Sequence, residues 1–514
     1  MITLTIDNKQ VEVAEGTMIL DAAGQLDITI PTLCYAAGYK PTTSCMVCVV
    51  QVEGLKSLVP ACGTRAVNGM VVHTNTPQVQ KARTTAIELL LSDHVGDCEA
   101  PCEFGCPANM DIPKMIRQIQ EGDFDAAIKT VKADIPLPAV CGRICPAPCE
   151  KVCRRKQADN AVSICLLKRF VGDVDLAKDA PYRPECVPLT EKKVAIVGAG
   201  PAGLSAAYYL RQAGIDCTLY DDHDKPGGAI RYGDIDRDLL PVEVVDREIE
   251  QILTLGVQFK GNIHLGKDVL LSELKKQYDA VMISVGSEGV NDIIGIDIKD
   301  GKIQVNRQQY STSIGRVFAG GGCIGSRNLC IRAIADGKEA AKSIQSLLFG
   351  TELAEKPYNH RVGRVDAETM EIFLKHTSDQ KRKEPQSISE GLTTEQAQDE
   401  AARCLHCDCR KADRCGLRDR ATDQSARQKT WQGQTRLFEQ LIANDAVIYE
   451  PGKCIKCGLC VQCAAAQGQT AGLTFFGRGF EMEITMPLRN ALEQMPQQVL
   501  AECVNICPTG ALAL

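Results

Sequence analysis

All but four of the 26 cysteines in this chain of 514 residues fall into tight groups. A thiolate is above all a ligand for soft metals and a redox nucleophile. Cys34, Cys45, Cys48 and Cys62 follow a C-x10-C-x2-C-x13-C pattern. His94, Cys98, Cys102 and Cys106 are each separated by three residues, and so are Cys141, Cys145, Cys149 and Cys153. Cys404, Cys407, Cys409 and Cys415 lie within twelve residues, with His406 inside the group read as structural. Cys454, Cys457 and Cys460 form a C-x2-C-x2-C run that the distant Cys507-Pro508 completes. Four thiolates can hold two irons, with two sulfur ligands on each beside the bridging sulfides, or the four corners of a cubane. The cysteine–proline steps at Cys106-Pro107 and Cys145-Pro146 accompany cubane ligands, the proline stiffening the exit of the chain. Zinc is the competing occupant. The isolated Cys186, Cys217, Cys323 and Cys330 read as packing residues, and Cys463 and Cys503 as leftovers of the tail group.

A second chemistry is written in glycine. The buried strand Val194–Val197 runs straight into Gly198-Ala-Gly200-Pro-Ala-Gly203, and Leu204–Ala213 continues as a helix. A second strand, Asp216–Tyr220, ends at Asp221, 23 residues beyond Gly198. Glycines there let the backbone approach a pyrophosphate at a helix N-terminus, and Asp221 can accept a hydrogen bond from a ribose hydroxyl.

The elements that must position these residues suit three or four domains, given the length. The apolar share of 44% and charged share of 24% are ordinary for a folded soluble protein. A net charge of -7 makes nucleic acid a poor partner. No apolar run reaches 18 residues, so no membrane span is expected. Met1–Lys9 lacks the basic start and apolar block of an export signal, which places the chain in a reducing cytoplasm where disulfides are rare. Residues 1–75 read as β-rich, with a hairpin at Asp7-Asn8-Lys9, a short helix over Gly16–Ala23 and strands at Val47–Val52 and Gly69–His73. Residues 76–185 read as helical, opening with Gln78–Leu91, and 190–350 as a nucleotide-binding domain. Residues 351–445 form a polar linker, with a Lys381-Arg382-Lys383 run and a Thr394–Ala402 helix delivering the third cysteine group; 446–514 form a small terminal domain.

Four resemblances sharpen this reading. The first cysteine pattern resembles the [2Fe–2S] modules of the respiratory complex I iron–sulfur subunit and of NAD-linked hydrogenase diaphorases, and Leu89–His94 resembles the junction where a histidine ligates a cubane in that subunit. Ala-Val-Cys141-Gly-Arg-Ile-Cys145-Pro resembles the double-cluster helical domain of the glutamate synthase small subunit and dihydropyrimidine dehydrogenase. That resemblance implies crossed ligands: Cys98, Cys102 and Cys153 on one [4Fe–4S] cluster, with His94 where a cysteine is usual, and Cys106, Cys145 and Cys149 on another. Cys165 and Cys141 are the candidates for its fourth ligand, the family position falling on Lys168. Gly227, Gly228 and Arg231, and the late strand ending in Gly320-Gly321, are similar to that family's FAD motifs, although Cys323 stands where an aspartate is usual. The 446–514 segment resembles a bacterial ferredoxin reduced to one [4Fe–4S] cluster.

The fold class expected is therefore multidomain α/β and α+β: a β-grasp-like [2Fe–2S] ferredoxin, a helical double-cluster domain, a Rossmann-like FAD domain and a [4Fe–4S] ferredoxin-like tail. The family's NADPH domain is missing, because the Glu288–Ser313 gap is too short and no second G-x-G-x-x-G occurs. Cofactors expected are FAD, one [2Fe–2S] and about four [4Fe–4S] clusters. The function expected is electron transfer within a multisubunit oxidoreductase of hydrogenase, formate or aldehyde dehydrogenase, or bifurcating type. Its partners would be a NAD-binding flavoprotein, a hydrogenase or dehydrogenase subunit, or ferredoxin. The alternatives are a self-contained NAD(P)H-dependent reductase and a zinc-rich scaffold.

Overall fold

A computed structural model describes every residue except 288, 291–294, 326–328, 386, 388, 432, 434–435, 444–446, 470–471 and 487–491. The chain folds as two compact units that alternate along the sequence. Met1–Glu99, Glu355–Lys375 and Cys407–Leu514 form the first, Ala100–Ala354 and His376–His406 the second.

The first unit opens with the antiparallel strands Ile2–Ile6 and Lys9–Val13. Asp7 and Asn8 between them both take positive φ, the mirror-image turn whose twist matches that of the flanking strands. Leu4 and Ile6 are buried while Thr3 is exposed, the period of two that seats one face on a core. Val71–His73 pairs parallel to Ile2–Ile6, and Val49–Val52 and Val59–Pro60 complete a five-stranded sheet. The short helix Ile19–Gly24 buries Ile19, Ala22 and Ala23 in the same core. The helix Pro77–Ser92 begins where the Thr76 hydroxyl accepts the Val79 N–H and Pro77 occupies the first position.

The tail of this unit is a three-stranded antiparallel sheet of Leu441–Ala443, Val447–Tyr449 and Leu512–Ala513. The helices Leu459–Ala466 and Gln497–Ile506 share a core with its last two strands. A third core of the unit joins its first and last sequence segments, through Leu33, Val47, Ile87 and Leu91 on one side and Leu417 and Leu459 on the other.

The second unit carries six short helices between Pro101 and Leu176, then a five-stranded parallel sheet. Its order is Val317–Ala319, Ala280–Ile283, Lys193–Val197, Asp216–Tyr220, Gln258–Lys260. The first strand in sequence is therefore central, and the chain order reverses beside it, the switch point where open α/β sheets bind ligands. Between Ala280–Ile283 and Val317–Ala319 the described residues hold only the hairpin Ile298–Lys299 and Lys302–Ile303; residues 288 and 291–294 of that gap lie outside the described residues. No described helix is long and apolar enough to cross a membrane.

Candidate metal and nucleotide sites

Cys34, Cys45, Cys48 and Cys62 converge beside the first sheet, each no more than 4% exposed. Cys48 and Cys62 place their sulfurs 3.3 Å apart, and Cys34 touches both Cys45 and Cys62. The hydrogen bond with Cys62 draws Cys48 down to about 7, while the sulfur contacts and burial push Cys45 and Cys62 up. Packed thiols cannot all ionise alone; a bound cation would allow it.

Cys98 lies with a different set from the one expected. Its N–H donates to the His360 carbonyl at 3.0 Å, its own carbonyl accepts the Cys409 N–H at 3.1 Å, and its sulfur accepts the His360 N–H at 3.4 Å. Cys409 and Cys415 are the thiols that act on it, and desolvation pushes it up to about 12. The His94 ring stands edge-on to His360 at 4.8 Å, and burial drives His94 well below the usual imidazole range, keeping it neutral and fit to ligate. Lys453, buried and paired with Glu450, faces both His94 and Cys409. His94, Cys98, Cys409 and Cys415 are thus one constellation of the first unit. The expected sets of Cys98 with Cys102 and Cys153, and of Cys404 with Cys407, Cys409 and Cys415, thus each divide between the two units. Cys102 and Cys153 belong to the second unit while Cys98 belongs to the first, and Cys404 lies two residues before the end of the second unit while Cys407, half-buried, begins the last segment of the first. The physical cause is the backbone pairing of Cys98 with His360 and Cys409, which local spacing cannot reveal.

Cys454, Cys457, Cys460 and Cys507 line one apolar cavity with Tyr449 and Ile484. Desolvation raises Cys454 to about 11 and Cys457 to about 12. Lys411, buried, donates to the carbonyls of Val504 (2.6 Å) and Cys507 (2.5 Å) and so pins the loop carrying the fourth sulfur. Cys463 and Cys503 do lie together, Cys463 also meeting Tyr39.

In the second unit, Cys145 contacts Cys165, Cys165 also contacts Cys149, and Cys106 lies within electrostatic reach of Cys145. Glu150 holds Cys165 there, accepting its N–H at 2.9 Å and the Arg382 guanidinium at 2.7 Å. Of the two candidates for the fourth position, the fold brings Cys165 to this group, and Cys141 instead meets Cys330 at 3.7 Å. Cys330 is therefore not the isolated packing residue expected. Lys168 stands 3% exposed with its Nζ 4.0 Å from the Cys165 sulfur. The helix Pro101–Gly105, carrying Cys102, packs on Pro148–Lys151 so closely that a side chain at Gly105 would overlap Val152. The fully buried Arg403, next to Cys404, bonds Glu400 and Asp159, and Arg155, two residues past Cys153, bonds Asp159 and the Arg403 carbonyl. That network ties the Cys404 stretch to the Cys153 stretch.

At the parallel sheet, Gly198 has φ +101°, and a Cβ on it or on Gly203 would overlap the backbone of Ser284 or Gly198. Gly200 differs: an added Cβ would meet only the Gly228 Cα, at 3.9 Å. Gly200, Gly228 (φ +51°) and Gly227 form a side-chain-free cradle before the helix Pro201–Gln212. Gly320 follows the strand Val317–Ala319, and the Gly321 N–H donates to Asp336 at 3.0 Å. Asp221 accepts the Ala199 N–H at 2.6 Å and the His223 N–H at 3.0 Å, so its carboxylate braces the glycine turn. Arg231 bonds the Pro226 carbonyl and Asp246, holding the Gly227-Gly228 loop rather than standing free for a ligand. Cys323 is buried, its thiol donating to the Gly320 carbonyl at 3.2 Å.

Sequence reasoning missed Lys453 and His360, and met Lys168 only as the residue at the family's ligand position. Lys453 immediately precedes Cys454, and Lys168 lies three residues after Cys165 on one helix, so their spacing was a readable signal.

Comparison with known families agrees with this layout. Residues 1–77 match the 2Fe-2S iron-sulfur cluster binding domain, and 78–180 match dihydropyrimidine dehydrogenase domain II, 4Fe-4S cluster. Residues 196–256 match the NAD(P)-binding Rossmann-like domain, and 445–513 the ferredoxin-like domain of NADH-quinone oxidoreductase subunit 3. The chain thus combines 2Fe–2S, 4Fe–4S, Rossmann and ferredoxin-like domains. It is 38% identical over 276 residues to the NADPH-Fe(3+) oxidoreductase subunit beta of Geobacter sulfurreducens, covering 50% of this chain and 40% of that protein. It is 39% identical over 198 residues to the NAD-dependent dihydropyrimidine dehydrogenase subunit PreT homolog of Salmonella typhi, covering 38% of this chain and 47% of that one. With the NADP(+)-dependent formate dehydrogenase subunit beta of Moorella thermoacetica it shares 38% identity over 208 residues, covering 36% and 29%. The chain spans less than half the length of each of these relatives.

Proposed function

We propose that this chain is an electron-transfer subunit of a multisubunit oxidoreductase, relaying electrons among iron–sulfur clusters and a flavin. The observation that carries this reading is the third core of the first unit. Cys34 and Cys45, Cys415, and Cys457 belong to three different sulfur groups, yet all border that one apolar core. Gly510, beside Cys507, leaves space that the Cys409 sulfur fills. Centres so juxtaposed suit one-electron hops, and their dry, low-dielectric surroundings tune potentials through buried charge.

In this reading Cys34, Cys45, Cys48 and Cys62 hold a [2Fe–2S] cluster. Cys454, Cys457, Cys460 and Cys507 hold a [4Fe–4S] cluster, as do Cys106, Cys145, Cys149 and Cys165. His94, Cys98, Cys409 and Cys415 hold a third cubane, and Cys102, Cys153 and Cys404 contribute to a fourth. FAD would be held along Gly198, Gly200, Gly203, Gly227, Gly228, Gly320 and Gly321, whose missing side chains leave a cradle at the helix N-terminus suited to a pyrophosphate. When bound, the flavin exchanges two electrons as a pair or one at a time, whereas each cluster takes one. The protein's part is to fix the glycine backbone through Asp221 and Asp336, to hold the sulfurs and to exclude water. Electrons enter from a partner chain, since the described residues hold one nucleotide-binding sheet only.

The relatives' names, a formate dehydrogenase beta subunit and an NADPH-Fe(3+) oxidoreductase beta subunit, support a dehydrogenase-type partner. The test is iron, acid-labile sulfide and flavin content of anaerobically purified full chain, with its NADPH turnover. Iron and sulfide for several clusters, one flavin and negligible NADPH oxidation alone are expected; a colourless zinc protein, or rapid NADPH oxidation by the isolated chain, overturns the reading. A nicotinamide on the glycine cradle in place of FAD is the second reading, favoured by the NAD(P)-binding match at 196–256; absence of releasable flavin with tight NAD(P) binding would establish it.

A further inference from the structure

Cys141 and Cys330 are 189 residues apart in sequence, yet their sulfurs stand 3.7 Å from one another. In the proposed assignment neither is a ligand of the Cys106, Cys145, Cys149 and Cys165 cluster, a reading on which this inference rests. Cys141 sits on the helix Pro138–Ile144 and is fully buried; Cys330 is the first residue of the helix Cys330–Phe349 and is half-buried. Each helix is anchored by bonds that do not involve the pair. The Glu248 carboxylate accepts the N–H groups of Ala139 and Val140 at 2.7 and 2.8 Å. On the other helix, the Ile334 carbonyl accepts the Ser205 hydroxyl at 2.8 Å, and Asp336 accepts the Gly321 N–H. The approach of the two thiols is therefore imposed by the fold.

A disulfide spans about 2.0 Å, so closure asks the sulfurs to move together by less than about 2 Å, within reach of side-chain rotation. The two residues also differ in exposure, Cys330 half-buried and Cys141 fully buried, which suits an attacking and a resolving cysteine.

We propose that Cys141 and Cys330 form a reversible dithiol–disulfide centre that low-molecular-weight disulfides oxidise by exchange. The Cys330 sulfur attacks one sulfur of the small disulfide, whose S–S bond breaks and releases one thiol. Cys141 then attacks the Cys330 sulfur of the mixed disulfide and releases the second thiol. Two protein thiols are oxidised, one small disulfide is reduced to two thiols, and the two protons leave on them. The bond would link the helix one turn before Cys145 to the helix that braces the Gly320-Gly321 loop through Asp336. The chain thereby gains a two-electron centre independent of the proposed flavin and clusters.

The test uses the full chain, purified anaerobically with its iron and sulfide, and oxidised glutathione as the probe. Peptide mapping without reduction should yield a Cys141–Cys330 linked peptide. Titratable thiols should fall by two with iron and sulfide unchanged, and dithiothreitol should reverse both effects. The Cys330→Ala chain should keep its iron and sulfide and give no linked peptide. Recovery of both residues as alkylated thiols from the oxidised wild-type chain overturns the proposal. So does loss of a cluster's worth of iron in either Cys330→Ala or Cys141→Ala, which would make the pair ligands.

Discussion

Replacing Lys168 by methionine removes a positive charge from a site where it has no carboxylate partner within ion-pair distance among the described residues. Its Nζ lies 4.0 Å from the Cys165 sulfur, and Cys141, Cys145 and Cys106 are the other sulfur groups that act on it. Burial alone would strip the proton from an ammonium 3% exposed, yet the surrounding sulfurs hold its affinity for the proton above the ordinary lysine value. A cluster on Cys106, Cys145, Cys149 and Cys165 gains one negative charge on reduction, and the cation stabilises that added charge. At 4–6 Å and an effective dielectric near 20 the interaction is about 3–4 kcal/mol, or roughly 120–170 mV for one electron. Lys168→Met should therefore lower the midpoint potential of one cubane by about 100–200 mV, with iron and sulfide content unchanged and the other centres unmoved. Lys168→Arg should restore most of the shift, because it keeps the charge and changes the shape. The assay is an anaerobic redox titration followed by electron paramagnetic resonance. A midpoint unchanged within about 30 mV, or equal shifts in both variants, would refute the electrostatic reasoning.

Gly200→Ala should weaken binding of the nucleotide cofactor while leaving iron content and thermal stability close to wild type, because its added Cβ enters the cradle and meets only the Gly228 Cα; the check is flavin released on denaturation. Gly510→Ala should selectively disturb the His94, Cys98, Cys409 and Cys415 site, since its new methyl group would overlap the Cys409 sulfur; one cubane signal should broaden or vanish with the [2Fe–2S] signal intact. Glu248 is a buried carboxyl that desolvation pushes up to about 7. Its folded-state value is raised, so its contribution is complete below about pH 4.5 and is lost as pH rises through 7. At about 1.4 kcal/mol per unit this amounts to about 3 kcal/mol, and unfolding midpoints should fall between pH 5 and 8 in wild type but less in Glu248→Gln.

Where a site is built from neighbours in sequence, the sequence was enough to read it. The Asp7-Asn8 turn, the helix after Thr76 and the strand–glycine–helix unit at Lys193–Gln212 all rest on contacts within a few residues. The tail group is legible for the same reason, three of its cysteines sharing one short loop. Cys98 is the opposite case. Its partners Cys409 and Cys415 lie more than 300 residues away, and only the backbone bonds to His360 and Cys409 choose between them and Cys102. Even spacing in a cysteine series says that ligands are present, but not which ones close on the same metal. Cys330 misled because isolation in sequence says nothing about a second thiol brought up by another helix. Lys453 escaped because a charge is ordinarily placed at the surface, whereas here Glu450 and the Cys409 sulfur lie beside it in the interior.

The alternation of the two units along the chain also sets an order of events during synthesis. Leu33, Val47, Ile87 and Leu91 are made early, but the core they enter is closed by Leu417 and Leu459. Until translation has passed residue 459, Cys34 and Cys45 lack part of their apolar cover, and Cys98 waits for Cys409 and Cys415. On the proposed assignments, the site of His94, Cys98, Cys409 and Cys415 can therefore be filled only after residue 415 has been made, whereas Cys48 and Cys62 sit in a core complete within the first 75 residues.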